Sequence, residues 1–154
     1  MAMTRGYFLA FAFRATVTIG LVLLPACDSG TGGGSEVSCS PKASNTIATV
    51  SCSNDIVPMF QAAGCLTSAC HGGEFPSSSY DLRTYESWFV SGADARRIGA
   101  CEIVPGDPEN SFLLEKLRSD NPRVGLQMPL ERDPLTEEEI ALVETWIREG
   151  AQDN

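Results

Sequence analysis

Cys65-Leu66-Thr67-Ser68-Ala69-Cys70-His71 is the stretch on which the reading of this chain turns. Two thiols followed at once by an imidazole can anchor a haem. The cysteines add covalently across its vinyl groups, and the histidine ligates iron from one face. The usual attachment signature has two residues between the cysteines; here there are four. His71 is the single histidine of the chain, so a sixth iron ligand from this chain cannot be a second imidazole. Beyond the leader the chain offers only Met59 and Met128 as thioethers. Met59 lies on the approach to Cys65 and is expected to face the core. Met128 sits in Gly125-Leu126-Gln127-Met128-Pro129-Leu130, a loop able to reach the opposite face. The expected iron ligands are therefore His71 and Met128. Two other readings stay open. Cys65 and Cys70 could form a disulfide, as an oxidising compartment allows. A zinc site is the weaker option, because adjacent Cys70 and His71 are awkward ligands for one tetrahedral ion and no second cysteine–histidine pair completes a set.

Upstream, residues 1–26 have the make-up of a secretory signal. Arg5 and Arg14 supply positive charge, and Ala15 to Leu24 is apolar except for threonines and one glycine. That run is too short for a convincing membrane span. Leu24-Pro25-Ala26-Cys27 closes it with a small residue before a cysteine. The ending resembles a bacterial lipobox, which implies cleavage before Cys27 and acylation of its thiol. Several acyl chains on one terminus would hold the protein to a membrane of the cell envelope, facing the periplasm or the cell surface.

Residues 27–51 read as a tether. Ser29-Gly30-Thr31-Gly32-Gly33-Gly34-Ser35 has nothing apolar to bury and should behave as a flexible coil. The folded part is residues 52–154, one domain of about a hundred residues. A core of that size is limited, and a haem would enlarge it by giving side chains an apolar disc to pack around. The chain carries 11 Lys and Arg against 20 Asp and Glu, a net charge of −9; loss of Arg5 and Arg14 with the leader makes this −11. Such a surface argues against nucleic acid and fits a protein partner with a basic docking face.

Within the domain, helical periodicity dominates and no stretch alternates with a period of two. Asn54 is the expected N-cap of a first helix, with Pro58 in its first turn and Gly64 ending it. A short helix is expected around Thr84 to Val90. Pro105-Gly106-Asp107-Pro108 delivers another, with Asp107 as N-cap and Phe112, Leu113, Leu114 and Leu117 as its buried face. Asn121 to Pro134 should be irregular. Thr136-Glu137-Glu138-Glu139 reads as a capping box, so those acids are cap and solvated charge and not an acid–base pair. The last helix carries Ile140, Val143, Trp146 and Ile147 on one face and stops at Gly150. The fold class is all-α: about four short helices around a haem.

Asp55-Ile56-Val57-Pro58, Cys70-His71-Gly72, Pro105-Gly106-Asp107-Pro108-Glu109-Asn110-Ser111, Met128-Pro129 and Trp146-Ile147-Arg148-Glu149-Gly150 follow one another in a recognisable order. Together they resemble the class I c-type cytochrome domain of small exported bacterial proteins, over nearly the whole of the domain. The resemblance implies one covalent haem c on Cys65 and Cys70, His71 as proximal ligand, Met128 as distal ligand, and one-electron transfer as the activity. With both axial positions filled, no catalysis at iron is expected. The protein would be an electron carrier, with service as the electron-accepting subunit of a dehydrogenase as a variant of that role. In some haem c proteins wider cysteine gaps occur, the extra residues looping out. The competing reading is a non-haem envelope lipoprotein, held by disulfides and acting as an interaction module. Cys39, Cys52 and Cys101 remain once lipid and haem are assigned, an odd number. Cys52–Cys101 is the favoured pair because it cross-links two ordered segments, with Cys39–Cys52 as the alternative.

Overall fold

The computed structural model describes Cys39, Ser40 and residues 47–154. The expected signal peptide, Cys27 with its lipid, and most of the tether lie outside the described residues. Four α-helices are present among those described: α1 (Val57–Ala62), α2 (Ala93–Arg97), α3 (Phe112–Arg118) and α4 (Glu137–Arg148). No strand occurs among the described residues, only one isolated bridge between Cys101 and Ser111. None of the described helices is long and apolar enough to cross a membrane.

α1 begins earlier than the sequence suggests. A single wide turn, Cys52–Ile56, precedes it, and the Val57 N–H reaches back to the Cys52 carbonyl. Ser51, not Asn54, is the cap: its Oγ accepts from the Asn54 N–H at 3.1 Å, and the Asp55 carboxylate accepts from the Ser51 N–H at 2.8 Å. The reciprocal bonds satisfy donors that a bare helix start would leave open. Gly64, at φ +78°, then turns the chain out of α1 as expected. The helix anticipated after Asp107 is broken in two. Pro108–Asn110 is one 3-10 turn capped by Asp107, and Ser111 returns to extended backbone before α3. The first N–H groups of α3 find partners in the 101–104 segment: Phe112 N donates to Cys101 O at 3.0 Å and Leu113 N to Glu102 O at 2.9 Å. α4 carries the full Thr136/Glu139 capping box. The expected helix near Thr84 to Val90 is a 3-10 turn, Glu86–Phe89, and α2 follows without having been anticipated.

The core is organised by aromatic rings. Phe60 of α1 packs on Trp88 at 5.2 Å between centroids, and Trp88 meets Trp146 of α4 edge-on at 5.6 Å. Both indoles are buried yet satisfied, Trp88 Nε1 donating to Leu82 O and Trp146 Nε1 to Gln152 O, each at 3.0 Å. Burial of such rings is the dominant favourable contribution in a domain of this size.

The cysteine pairing differs from the expectation. Cys101 is bonded to Cys39, with Cα atoms 5.3 Å apart, and Cys52 remains a free thiol. Cys52 faces the core, 3% exposed, because its wide turn is held against the C-terminus: its N–H donates to Asn154 Oδ1 at 3.0 Å. Burial, with Asp153 adding to it, pushes that thiol up to about 11, so it stays protonated. The Cys39–Cys101 link spans 62 residues, a loop whose closure restricts the unfolded chain by about 4 kcal/mol. Thr49 and Val50, assigned by sequence to the tether, are also engaged: the Glu149 carboxylate accepts from both backbone N–H groups and from Thr49 Oγ1.

Candidate functional site

The seven residues from Cys65 to His71 form a closed loop tied by its own backbone. Thr67 N donates to Gly64 O, Cys70 N to Thr67 O, Gly72 N to Thr67 O, and His71 N to Cys65 O at 3.0 Å. The last of these bonds draws the histidine to the first cysteine across the four intervening residues. Gly72 and Gly73 make the closure possible. A Cβ on Gly72 would lie 2.0 Å from Leu66 O, and one on Gly73 would lie 2.3 Å from Ser68 O. The backbone of the widened gap occupies the space a side chain would need.

His71 is held from two sides. Its carbonyl accepts from Leu82 N at 3.0 Å, and its Nδ1 lies 2.7 Å from Tyr80 O. A carbonyl oxygen only accepts, so Nδ1 carries the hydrogen, and in the neutral ring the lone pair is on Nε2. That is the arrangement by which a backbone oxygen orients an imidazole for ligation. Tyr80 is itself fixed, its buried hydroxyl donating to Trp88 O at 3.0 Å and its ring standing edge-on to His71.

A cavity of about 640 Å³ opens beside this loop. Its walls include Cys65, Cys70, His71 and Met128, the four residues singled out from the sequence, together with Phe60, Leu82, Phe112, Leu113 and Leu117. Met59 is not part of the lining; it packs half-buried against the core. A cavity of this size suits a small-molecule cofactor. Cys65 and Cys70 are both free thiols in it. Burial, then the proximity of Cys70, raises Cys65 to about 11, with Arg132 opposing. A thiol kept protonated is a poor nucleophile for disulfide formation. Met128 arrives from the irregular 121–134 segment, its N–H donating to Lys116 O at 2.7 Å. The peptide bond between Met128 and Pro129 is cis.

Sequence reasoning passed over four residues on this cavity. Tyr80 acts through a backbone oxygen, which no side-chain pattern announces. Arg132 presses its guanidinium against Gly64, within 2.7 Å of where a Cβ would stand. Glu102 and Lys116 line the cavity and are almost wholly buried. For Glu102 there was a signal: an acid beside Ile103 and Val104 in a segment otherwise built for the interior.

Among the described residues, no group of three or more His, Cys, Asp or Glu side chains is placed to hold a metal ion. Two thiols, one imidazole with Nε2 available, and one thioether on a mainly apolar cavity do fit a haem. The thiols could link it, and the imidazole and thioether could ligate its iron. No family model, curated protein or solved structure matches the chain.

Proposed function

We propose that the chain is a mono-haem c-type cytochrome of the cell envelope, lipid-anchored through Cys27, that carries single electrons between protein partners. The observation that supports this reading is the convergence of Cys65, Cys70, His71 and Met128 on one cavity. Three segments distant in sequence, 65–71, 112–117 and 128–132, contribute to its walls. When bound, a haem supplies a one-electron iron couple. Cys65 and Cys70, both free thiols on the cavity, would hold it covalently. His71 would ligate through Nε2, with Tyr80 O setting the ring's orientation. Met128 would ligate through sulfur, and a thioether ligand favours a relatively high potential. Phe60, Leu82, Phe112 and Leu117 supply apolar wall against which the haem ring would pack. The acidic surface suits a partner with a basic docking face.

The test is a reduced-minus-oxidised visible spectrum of the chain exported with haem-maturation machinery. The expected result is a c-type spectrum that stays with the polypeptide through acid–acetone extraction and denaturing electrophoresis. Replacing Cys65 and Cys70 together by alanine should abolish it. A folded, exported wild type that carries no haem overturns the reading. Cys27→Ser should in turn release the protein from the membrane fraction; a variant that is exported and still sediments with membranes would refute the anchor.

A further inference from the structure

Three acids line the cavity: Asp94, Glu102 and Glu131. Asp94 is half-buried and shared with Ser78 Oγ and Arg97, and Glu131 is exposed. Glu102 alone is buried, at 5% exposure, and no ion pair among the described residues includes it. Its backbone is pinned because Leu113 N donates to its carbonyl, and its Oε1 accepts from Gly92 N at 3.2 Å. Among the described residues no hydrogen bond reaches Oε2. The carboxyl is thus held at one oxygen only, on a residue that lines the cavity. Lys116, 6% exposed on the same cavity, does not neutralise it directly, for its Nζ donates to Val124 O at 3.0 Å.

We propose that Glu102 is a redox-linked proton site, taking up one proton when an electron enters the cavity and releasing it when the electron leaves. This rests on the haem reading above. The two side chains that would ligate iron in that reading, an imidazole and a thioether, are neutral, and the Nδ1 hydrogen of His71 is engaged by Tyr80 O. An added electron thus changes the charge of a low-dielectric cavity by one unit, unless another group on the wall compensates. One electron comes from a reduced one-electron donor protein, and one proton passes from bulk water to the Glu102 carboxylate, so the net charge inside is unchanged. On oxidation both leave, the electron to an acceptor protein and the proton to water.

The surroundings place the exchange near neutrality. Burial raises the Glu102 carboxyl to about 7. The Gly92 N–H, then Lys116 of α3, oppose that rise; Asp94 of α2 adds to it and Arg96 of α2 opposes it. The Tyr80 phenol is buried, its hydroxyl donating to Trp88 O; its own burial, then the Glu102 charge, raises it well above the usual phenol range. The sign follows from the charge. Extra positive charge in the oxidised cavity favours the carboxylate and lowers its pKa, and reduction raises it. Between the two values reduction binds a proton, so the potential must fall as pH rises.

The experiment is a redox titration of the haem-loaded full chain from pH 5 to 9. In wild type, the midpoint should fall in a window around pH 7, with a limiting slope of about 59 mV per pH unit, a tenfold change in equilibrium constant for one electron. Glu102→Gln should flatten that window. Asp94→Asn should move it to lower pH, because the charge that helps keep Glu102 protonated is gone; this variant serves also where Glu102→Gln folds poorly. Reduced-minus-oxidised infrared spectra should show a protonated-carboxyl band on reduction that Glu102→Gln lacks. A haem spectrum with a flat wild-type profile, or with equal slopes in wild type and Glu102→Gln, overturns the proton site and leaves the cytochrome reading standing. Absence of any haem spectrum overturns both.

Discussion

The two walls of the cavity are built in opposite ways. The wall from Cys65 to Gly73 carries a frame of its own: four backbone bonds close within residues 64–72, its glycines let one strand of the loop lie on the other, and bonds to Ser77, Tyr80 and Leu82 fasten it to the segment that follows. The Met128 wall has no such internal frame. It hangs from α3, by Met128 N on Lys116 O, Gln127 Nε2 on Leu117 O, and Lys116 Nζ on Val124 O. Arg123 pairs with Glu115 at 2.7 Å across the same junction, while Leu126 and Leu130 stand exposed. One wall is framed mainly by its own backbone; the other inherits its geometry from a helix. The chemistry expected of each agrees with this. Covalent attachment requires two thiols and an imidazole in fixed relation, whereas a thioether on a loop needs only to be within reach.

The most damaging way to break the contrast is to fill the space under the first wall. Gly72→Ala puts a methyl group where Leu66 O already stands, and should cost about 3 kcal/mol by urea denaturation. A loss below about 1 kcal/mol would show that the closed loop yields easily, and that the two walls are less different than their hydrogen bonds suggest. The methionines come next. Met59 and Met128 are both half-buried, so each alanine variant should lose about 1–2 kcal/mol, less than a fully buried side chain would. Their spectra should part company: Met128→Ala removes the weak sulfur-to-iron band of the ferric protein and opens the iron to carbon monoxide, and Met59→Ala leaves the band in place. The reverse assignment of the band would place the ligand on α1 and not on the loop. The mildest change is Lys116→Met, which keeps the stem packed but drops the bond to Val124 O. It should cost about 1 kcal/mol and speed amide hydrogen exchange in residues 124–128, with the 65–73 amides unaffected.

These two walls were not equally legible from the sequence. Spacing of apolar residues and caps located α4 and the bulk of α1 and α3, because Thr136/Glu139, Gly64 and the Val143/Trp146/Ile147 face act within one or two turns. What failed depends on contacts between distant segments. Ser111 breaks the helix after Asp107 because its Oγ accepts from Val104 N at 2.9 Å and donates to Asp107 O at 2.9 Å. Cys101 found Cys39 because the first turn of the domain is bound to the C-terminus, which turns Cys52 inward. The cavity's four expected residues were readable as types and spacings; that Tyr80 would orient His71, and that an unpaired acid would line the wall, followed only from the tertiary arrangement.

The seam between residues 49–53 and residues 149–154 has a mechanical consequence. Glu149 grips Thr49 and Val50, while Asn154 takes bonds from Ser51, Cys52 and Ser53. Ahead of this seam stands the covalent link from Cys39 to Cys101. Tension applied to the chain before Cys39 is therefore delivered through sulfur to the 101–104 segment, whose carbonyls receive the N–H groups of α3. Residues 47–62 are left slack, and the loop from Cys65 to His71 lies outside the strained path. Reduction of the Cys39–Cys101 bond reroutes the pull to the row of hydrogen bonds between residues 49–53 and residues 149–154, which would peel one after another before α1 was disturbed.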